Sequence, residues 1–265
     1  ATLGLAVHRN QQTARAGATP EPLRVALLVP IYNEDTAEVF GNASAMMSAL
    51  RAARSSHRFE LFILSDTQDS DIAVAEQRAY ATLRATMPPD APVWYRRRLQ
   101  NTERKVGNIA QWLENWGGAY EAMLVLDADS LMSPEAVIAL SDEMSFDPTA
   151  GLIQSAPLVV GSDTLFGRMQ QFSASVYGML LSQGLAGWTG SEGNYWGHNA
   201  ILRTRAFADC AGLPRMPSLR GKGGLILSHD FVEAGLLRRA GWAVRFLPTI
   251  PGSFEEPPAT LIDYA

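Results

Sequence analysis

The feature that most constrains the fold is a repeated pairing: short, uninterrupted apolar runs followed by longer segments of helical periodicity. RVALLVP (24–30) places five apolar residues in a row and stops at Pro30. Such a run has no polar face, so it reads as a strand covered on both sides of a sheet. After YNED, Thr36 to Arg54 carries Val39, Ala43, Met46, Met47 and Leu50 at helical spacing, with Asp35 placed as its N-cap. FELFILS (59–65), VWYRRR (93–98), AMLVLD (122–127) and GLIQS (151–155) repeat the strand signal. Helices are expected at about 71–87, at 106–116 and from Ser133-Pro134, a favourable cap and first-turn pair. Strands alternating with helices need crossover connections, which implies an α/β fold with a mostly parallel sheet flanked by helices.

The regularity weakens beyond Gly161. A long helix is expected over 163–183, broken near Gly184 and Gly187, followed by the Gly/aromatic segment GWTGSEGNYWGHNAILR. A short helix at 204–210, a Gly-rich loop RGKGG, the helix HDFVEAGLLRRAG and a final strand WAVRFLP complete the pattern, and 251–265 reads as extended or loop-like. Residues 1–22, polar and small and ending in two prolines, read as a flexible lead-in to a single domain over 23–265. With 47% hydrophobic and 18% charged residues the chain has material for a sizeable core. A net charge of −5 gives no global attraction to nucleic acid, and none is expected as a partner. Cys210 alone excludes an internal disulfide framework and fits a reducing compartment. No run of about 18 apolar residues is present, and the chain opens on Ala1 with no signal-peptide pattern, so an excised piece of a larger protein is expected.

In open α/β sheets ligands bind beyond the carboxyl ends of the strands. Acids sit there repeatedly: Glu34 and Asp35 after the first strand, Asp66 and Asp69 after the second, Asp127 and Asp129 after the third. A lone acid in such a loop is ordinarily a helix cap. Three acidic strand ends meeting in one crevice instead need a cation or hydrogen-bond donors to balance them. In LVLDADS, Asp127 and Asp129 can project to one side and hold a hard divalent cation, with phosphate oxygens and water completing its shell. RRRLQNTERKVGN supplies Arg96, Arg97, Arg98, Arg104 and Lys105 before a helix start, suited either to an anion or to a solvated basic face. Alternation along the strand keeps the three consecutive arginines from serving one site together. In SHDF, Asp230 is either a helix-start carboxylate or a general base.

VPIYNED, ILSDTQDSD, RKVGN, LVLDADS and SHD, in that order, resemble the family 2 glycosyltransferases, inverting sugar-nucleotide enzymes of Rossmann-like GT-A fold. EGNYWGHNAILR and LSHDFVEAGLLRRAGW narrow the likeness to the branch that builds osmoregulated periplasmic glucans at the bacterial inner membrane. The resemblance implies a nucleotide-sugar and metal half over 23–160 and an acceptor-side half over 161–265. It implies a UDP-glucose donor, a β-1,2-linked glucan acceptor, Mg²⁺ or Mn²⁺ on Asp127 and Asp129, and flanking membrane helices. Tyr32 and Glu34 would face the nucleoside, Asp66 the uracil or ribose, and Lys105 the diphosphate or ribose side of the donor, with Asp127 shared between donor and metal. Asp230 would be the base, and Gly197, His198 and Asn199 would touch the acceptor. Trp196 would stack on a sugar or pack in the core.

Two departures accompany the likeness. Relatives carry Thr-Glu-Asp where this chain has Ser228-His229-Asp230, and no Gln-x-x-Arg-Trp motif occurs before Ala265. A rival reading is a regulatory module that binds UDP-glucose and a protein partner without chemistry of its own. A sugar-phosphate nucleotidyltransferase would need a Gly-rich basic loop after the first strand, where VPIYNED is acidic.

Overall fold

The computed structural model describes residues 19–210, 226 and 229–256. The RGKGG loop, Ser228, most of the lead-in and the last nine residues lie outside the described residues. β1 (Arg24–Ile31) lies between β2 (Arg58–Ser65) and β4 (Ala122–Val125), parallel to both, with Leu27 opposite Leu61 on one side and Leu124 on the other. β3 (Val93–Arg97) extends the sheet beyond β2. On the far side of β4 come β8 (Ala200–Arg203), β6 (Ala150–Gln154) and β9 (Ala243–Phe246), giving the order β3-β2-β1-β4-β8-β6-β9.

Alternate strand residues feed opposite faces. Val25, Leu27 and Val29 pack on one side with α1 (Thr36–Ala53), α2 (Ser70–Thr86) and α4 (Pro134–Phe146). Ala26 and Leu28 pack on the other with α3 (Arg104–Trp116), α7 (Thr204–Cys210) and α8 (His229–Arg239). Coverage of both faces explains why the central runs are apolar throughout. The helix starts follow their sequence signals. Asp35 accepts from Ala37 N at 2.8 Å and Glu38 N at 3.0 Å, Asp69 caps α2 in the same way, and Ser133 caps α4.

Three expectations need correction. The segment GHNAILR supplies β8, a central strand antiparallel to both β4 and β6. Four residues, three of them buried, carry too short a pattern to announce themselves. The helix beyond Gly161 is unbroken at Gly184 and Gly187: α5 (Leu165–Ser173), a π-helical turn (174–178) and α6 (Met179–Thr189) run on to Gly190 at φ +58°. A Cβ at either glycine would meet nothing within 4 Å, and a mid-helix glycine costs only about 1 kcal/mol. The third helix starts at Arg104 rather than Val106, which puts Lys105 in its first turn.

A second, three-stranded sheet joins β5 (Leu131–Met132), β10 (Ser253–Glu255) and β7 (Leu158–Val159), with β10 in the middle. It brings the far end of the described chain beside the turn that follows β4.

Candidate functional site

Because β1, β2 and β4 are parallel, their exits share one edge of the sheet. A cavity of about 670 Å³ opens there, lined among others by Tyr32, Glu34, Asp66, Lys105, Asp127 and Asp129. The structure therefore gathers every donor-side and metal residue expected from the sequence. Asp35 and Asp69 are helix caps, the bland reading of each.

The loops under the cavity are pinned by a buried carboxylate. Glu76, 1% exposed, accepts from Ser65 Oγ at 2.7 Å, Thr67 Oγ1 at 2.5 Å and Tyr95 OH at 2.8 Å. Thr67 Oγ1 in turn accepts from Asn33 N at 3.0 Å, and Asn33 Oδ1 accepts from Gln68 N and Asp69 N. The first two strand exits are thus tied together, and a buried network with its members satisfied is rigid.

The three consecutive arginines find three different sets of partners, so they do not serve one site together. Arg96 binds Asn108 and Gln111, and Arg97 donates to Thr67 O at 2.9 Å. Arg98 grips Asp66 with two bonds of 2.6 Å, Nε to Oδ1 and Nη2 to Oδ2, and also donates to the carbonyls of Thr102 and Arg104. Bidentate geometry of this kind fixes both partners. Asp66 therefore borders the cavity with its carboxylate already held by Arg98. The basic segment is spent mainly on shaping the wall.

Asp127 and Asp129 lie in a tight turn closed by Asp127 N donating to Ser130 Oγ at 2.9 Å and Ser130 N donating to Asp127 O at 3.2 Å. The Lys105 ammonium bonds Asp127 and also donates to Gly197 O at 2.9 Å. One side chain thereby joins the Asp127–Asp129 turn to the GHN segment. The surrounding charge is unbalanced. Burial pushes the Glu34 carboxyl up, and Asp129, Glu38 and Asp127 push it further. Burial likewise raises Glu255, and Asp129 and Asp127 add to this against the pull of His198. The carboxylates raised beside Asp127 and Asp129 mark an excess of negative charge that a hard divalent cation would balance, and Asp127 and Asp129 offer it two carboxylates.

The residues expected on the acceptor side, Trp196 to Asn199, are not among those lining this cavity, and Gly197 reaches it through Lys105. Gly197 sits at φ +90°, and a Cβ there would lie 2.7 Å from Asp230 Oδ2, so its backbone rests directly on that carboxylate. His198 Nε2 is 3.5 Å from Glu255 Oε2. Asn199 is buried at φ +50°. Trp196 packs edge-on against Phe246 at 4.7 Å, and its backbone N donates to Gln154 Oε1, the core-packing alternative for this ring.

Sequence reasoning missed Glu255, Glu233 and Arg98. Glu255 arrives only through the pairing of β10 with β5. Arg98 could not be told from its two neighbours. Glu233 had a readable signal, since it stands four residues after His229 on one helix.

With the geometry in place, a family model described as glycosyl transferase family group 2 matches residues 122–264, more than half of the chain. The chain belongs to that family. Relatives named glucans biosynthesis glucosyltransferase H are 48% identical over 242 residues in Caulobacter vibrioides and 49% identical over 249 residues in Vibrio cholerae. These alignments cover 91% and 93% of this chain but 36% and 34% of the relatives, so the chain spans about a third of their length. Among solved structures, a mannosyltransferase from Pyrobaculum calidifontis in complex with GDP-Man and Mn²⁺ aligns with TM-score 0.57 at 15% identity, covering 96% of this chain and 65% of that one. S. aureus TarS aligns with TM-score 0.52 at 12% identity, over 88% of this chain and 37% of that one. At such identities the likeness is one of fold, and it agrees with the GT-A expectation.

Proposed function

We propose that the chain is the catalytic domain of an inverting glucosyltransferase that moves glucose from UDP-glucose to a growing β-1,2-linked glucan backbone. The full-length protein would be a synthase of osmoregulated periplasmic glucan in the bacterial inner membrane, with this domain on the cytoplasmic side between membrane helices. The names of the relatives support glucan synthesis, and the retained motif order supports the donor. The observation that carries the reading is the convergence of Tyr32, Glu34, Asp66, Lys105, Asp127 and Asp129 on one cavity, with Lys105 bridging to the Gly197 carbonyl beside Asp230.

On this reading Tyr32 and Glu34 border the nucleoside, and the Asp66–Arg98 pair fixes the wall beside the base. Lys105 shifts from Asp127 toward the diphosphate when the donor enters. A divalent cation held by Asp127 and Asp129 would supply positive charge where the diphosphate departs. An acceptor hydroxyl gives its proton to Asp230 while its oxygen bonds the anomeric carbon from the face opposite UDP. The bond from that carbon to the UDP oxygen breaks in the same step, inverting the centre.

In the full-length protein, Asp230→Asn should leave UDP affinity measured by calorimetry with Mn²⁺ unchanged and lower transfer by about 10²–10⁴-fold. Transfer at the parental rate would remove Asp230 from the role of base. Absence of any UDP binding with Mn²⁺ would remove the donor assignment instead.

A further inference from the structure

The first turn of α8 holds three titratable groups in one place. His229 Nδ1 is 2.8 Å from Asp230 Oδ1 and 3.4 Å from Glu233 Oε1, and one polar atom from each residue lies within 4.8 Å of the others. Helical spacing puts Glu233 on the His229 face, and its side chain is 5% exposed. A carboxylate that deep is costly unless a cation or donors meet it. On its other side the Asp230 carboxylate is walled by the Gly197 backbone, so it stands between that wall and the imidazole, in a close ion-pair contact that lacks hydrogen-bond geometry.

We propose that Glu233 is a positioning residue of the acid–base centre: it holds the His229 ring against Asp230 and so orients that carboxylate. The proposal rests on the reading of Asp230 as the base. Burial works against a charged His229, but its contacts with Asp230 and Glu233 override burial and push its pKa up to about 9. Burial raises Glu233, and His229 opposes that rise. On balance Glu233 stays raised, and the two neighbouring acids favour the charged form of His229 up to about pH 9.

The neighbourhood explains the need for this cation. Asp127, Asp129 and Glu255 crowd the same side of the fold with like charge, and Lys105 is engaged by Asp127. Lys105 lowers Glu233 only as a distant charge, and buried Tyr195, raised well above its ordinary value by burial, stays neutral. On the elements packed against α8, Arg245 of β9 pairs with Asp147, Arg205 of α7 pairs with Asp209, and the Cys210 thiol is raised by burial. β6 carries no ionisable side chain. When Asp230 takes the acceptor proton, His229 loses one of its two anionic partners, and Glu233 is the one that remains.

Two readouts test this. Of the four histidines in the chain, His229 is assigned by its loss in His229→Gln, and its ring is followed by NMR titration in the parent and in Glu233→Gln. His229 should titrate near 9 in the parent and at least about one unit lower in the variant, since a lost charged partner of this kind is worth a unit or more. Transfer by the full-length protein should fall on the alkaline side of its pH profile, and that limb should move down with the NMR value in Glu233→Gln. At a pH one unit above the variant's value, transfer drops about tenfold from its plateau, while the UDP-glucose KM stays unchanged. An unmoved His229 titration overturns the clamp, and a moved titration with an unmoved alkaline limb overturns its role in catalysis. Failure of the parent to transfer from UDP-glucose would instead sink the functional reading, whatever the titration shows. Should Glu233→Gln fail to fold, Glu233→Met, which fills the same space without the charge, carries the same comparison.

Discussion

At the exits of β1, β2 and β4 the polar groups are tied to one another: buried Glu76 to three hydroxyls, buried Asp66 to Arg98, exposed Asn33 to two backbone amides. Along 165–189 the large apolar side chains do the opposite and stand in the open. Leu165, Met169, Phe172, Leu180 and Leu181 are well over half exposed and Trp188 is 86% exposed, while the residues turned toward the fold include the small Ala174, Gly178 and Ala186. Arg168 is the only charged residue of that helix. Position near the site is fixed by satisfied polar networks that shape a cavity. The long helix is fixed by its backbone and a small-residue stripe, and its bulky side chains contribute little to folding. Substitutions in the two regions should therefore differ in kind as well as in size.

The largest expected effect lies under the cavity. Glu76→Ala leaves the hydroxyls of Ser65, Thr67 and Tyr95 without their shared acceptor and opens a void, a loss of about 3 kcal/mol. For a domain of this size that corresponds to a fall in Tm of roughly 6–12 °C, read by differential scanning calorimetry. Glu76→Gln, which keeps part of the acceptor set, should lose less. Equal losses for the two variants would show that shape, and not the hydroxyl network, holds these loops.

A second substitution separates positioning from folding. Gly197→Ala drives a Cβ to 2.7 Å from the Asp230 carboxylate at a backbone φ of +90°, so one of the two must move. Displacing a catalytic group by about 1 Å costs on the order of 100-fold in rate. With Asp230 as the proposed base and the cavity as the proposed donor site, transfer should fall by about that factor with UDP binding retained, because the cavity-lining side chains are unchanged. A parallel loss of UDP affinity would mean that Lys105, bonded to the Gly197 carbonyl, transmits the strain to the donor side.

These differences also mark what the sequence could disclose. The central strands were legible because burial on both faces leaves an unbroken apolar run, as in β1 and β4. Asp127 and Asp129 were legible because both sit at the exit of such a run. β8 was not, since a four-residue strand has no period of its own. The pairing of Arg98 with Asp66 was hidden because three adjacent arginines look alike until the sheet fixes which way each points. Glu255 was hidden because only the second sheet carries it to the Asp127–Asp129 turn. The glycines at 184 and 187 misled because glycine signals a break only where packing or a positive φ enforces it, and both lie on the open side of a continuous helix.

The smallest expected effect is at that helix. Leu180→Gln combined with Leu181→Gln replaces two side chains about 70% exposed with residues of nearly equal helix propensity. Little apolar area returns to water, so stability should change by no more than about 0.5 kcal/mol, a Tm shift of roughly 2 °C or less. A larger loss would mean that these leucines are covered in the folded protein in solution and that the contrast between the two regions is weaker than drawn. A negligible loss beside a large one for Glu76→Ala would instead confine the energetic weight of this chain to the sheet and its polar edge. The apolar side chains of 165–189 would then be dispensable to the fold itself, and any selection acting on them would have to come from contacts outside it.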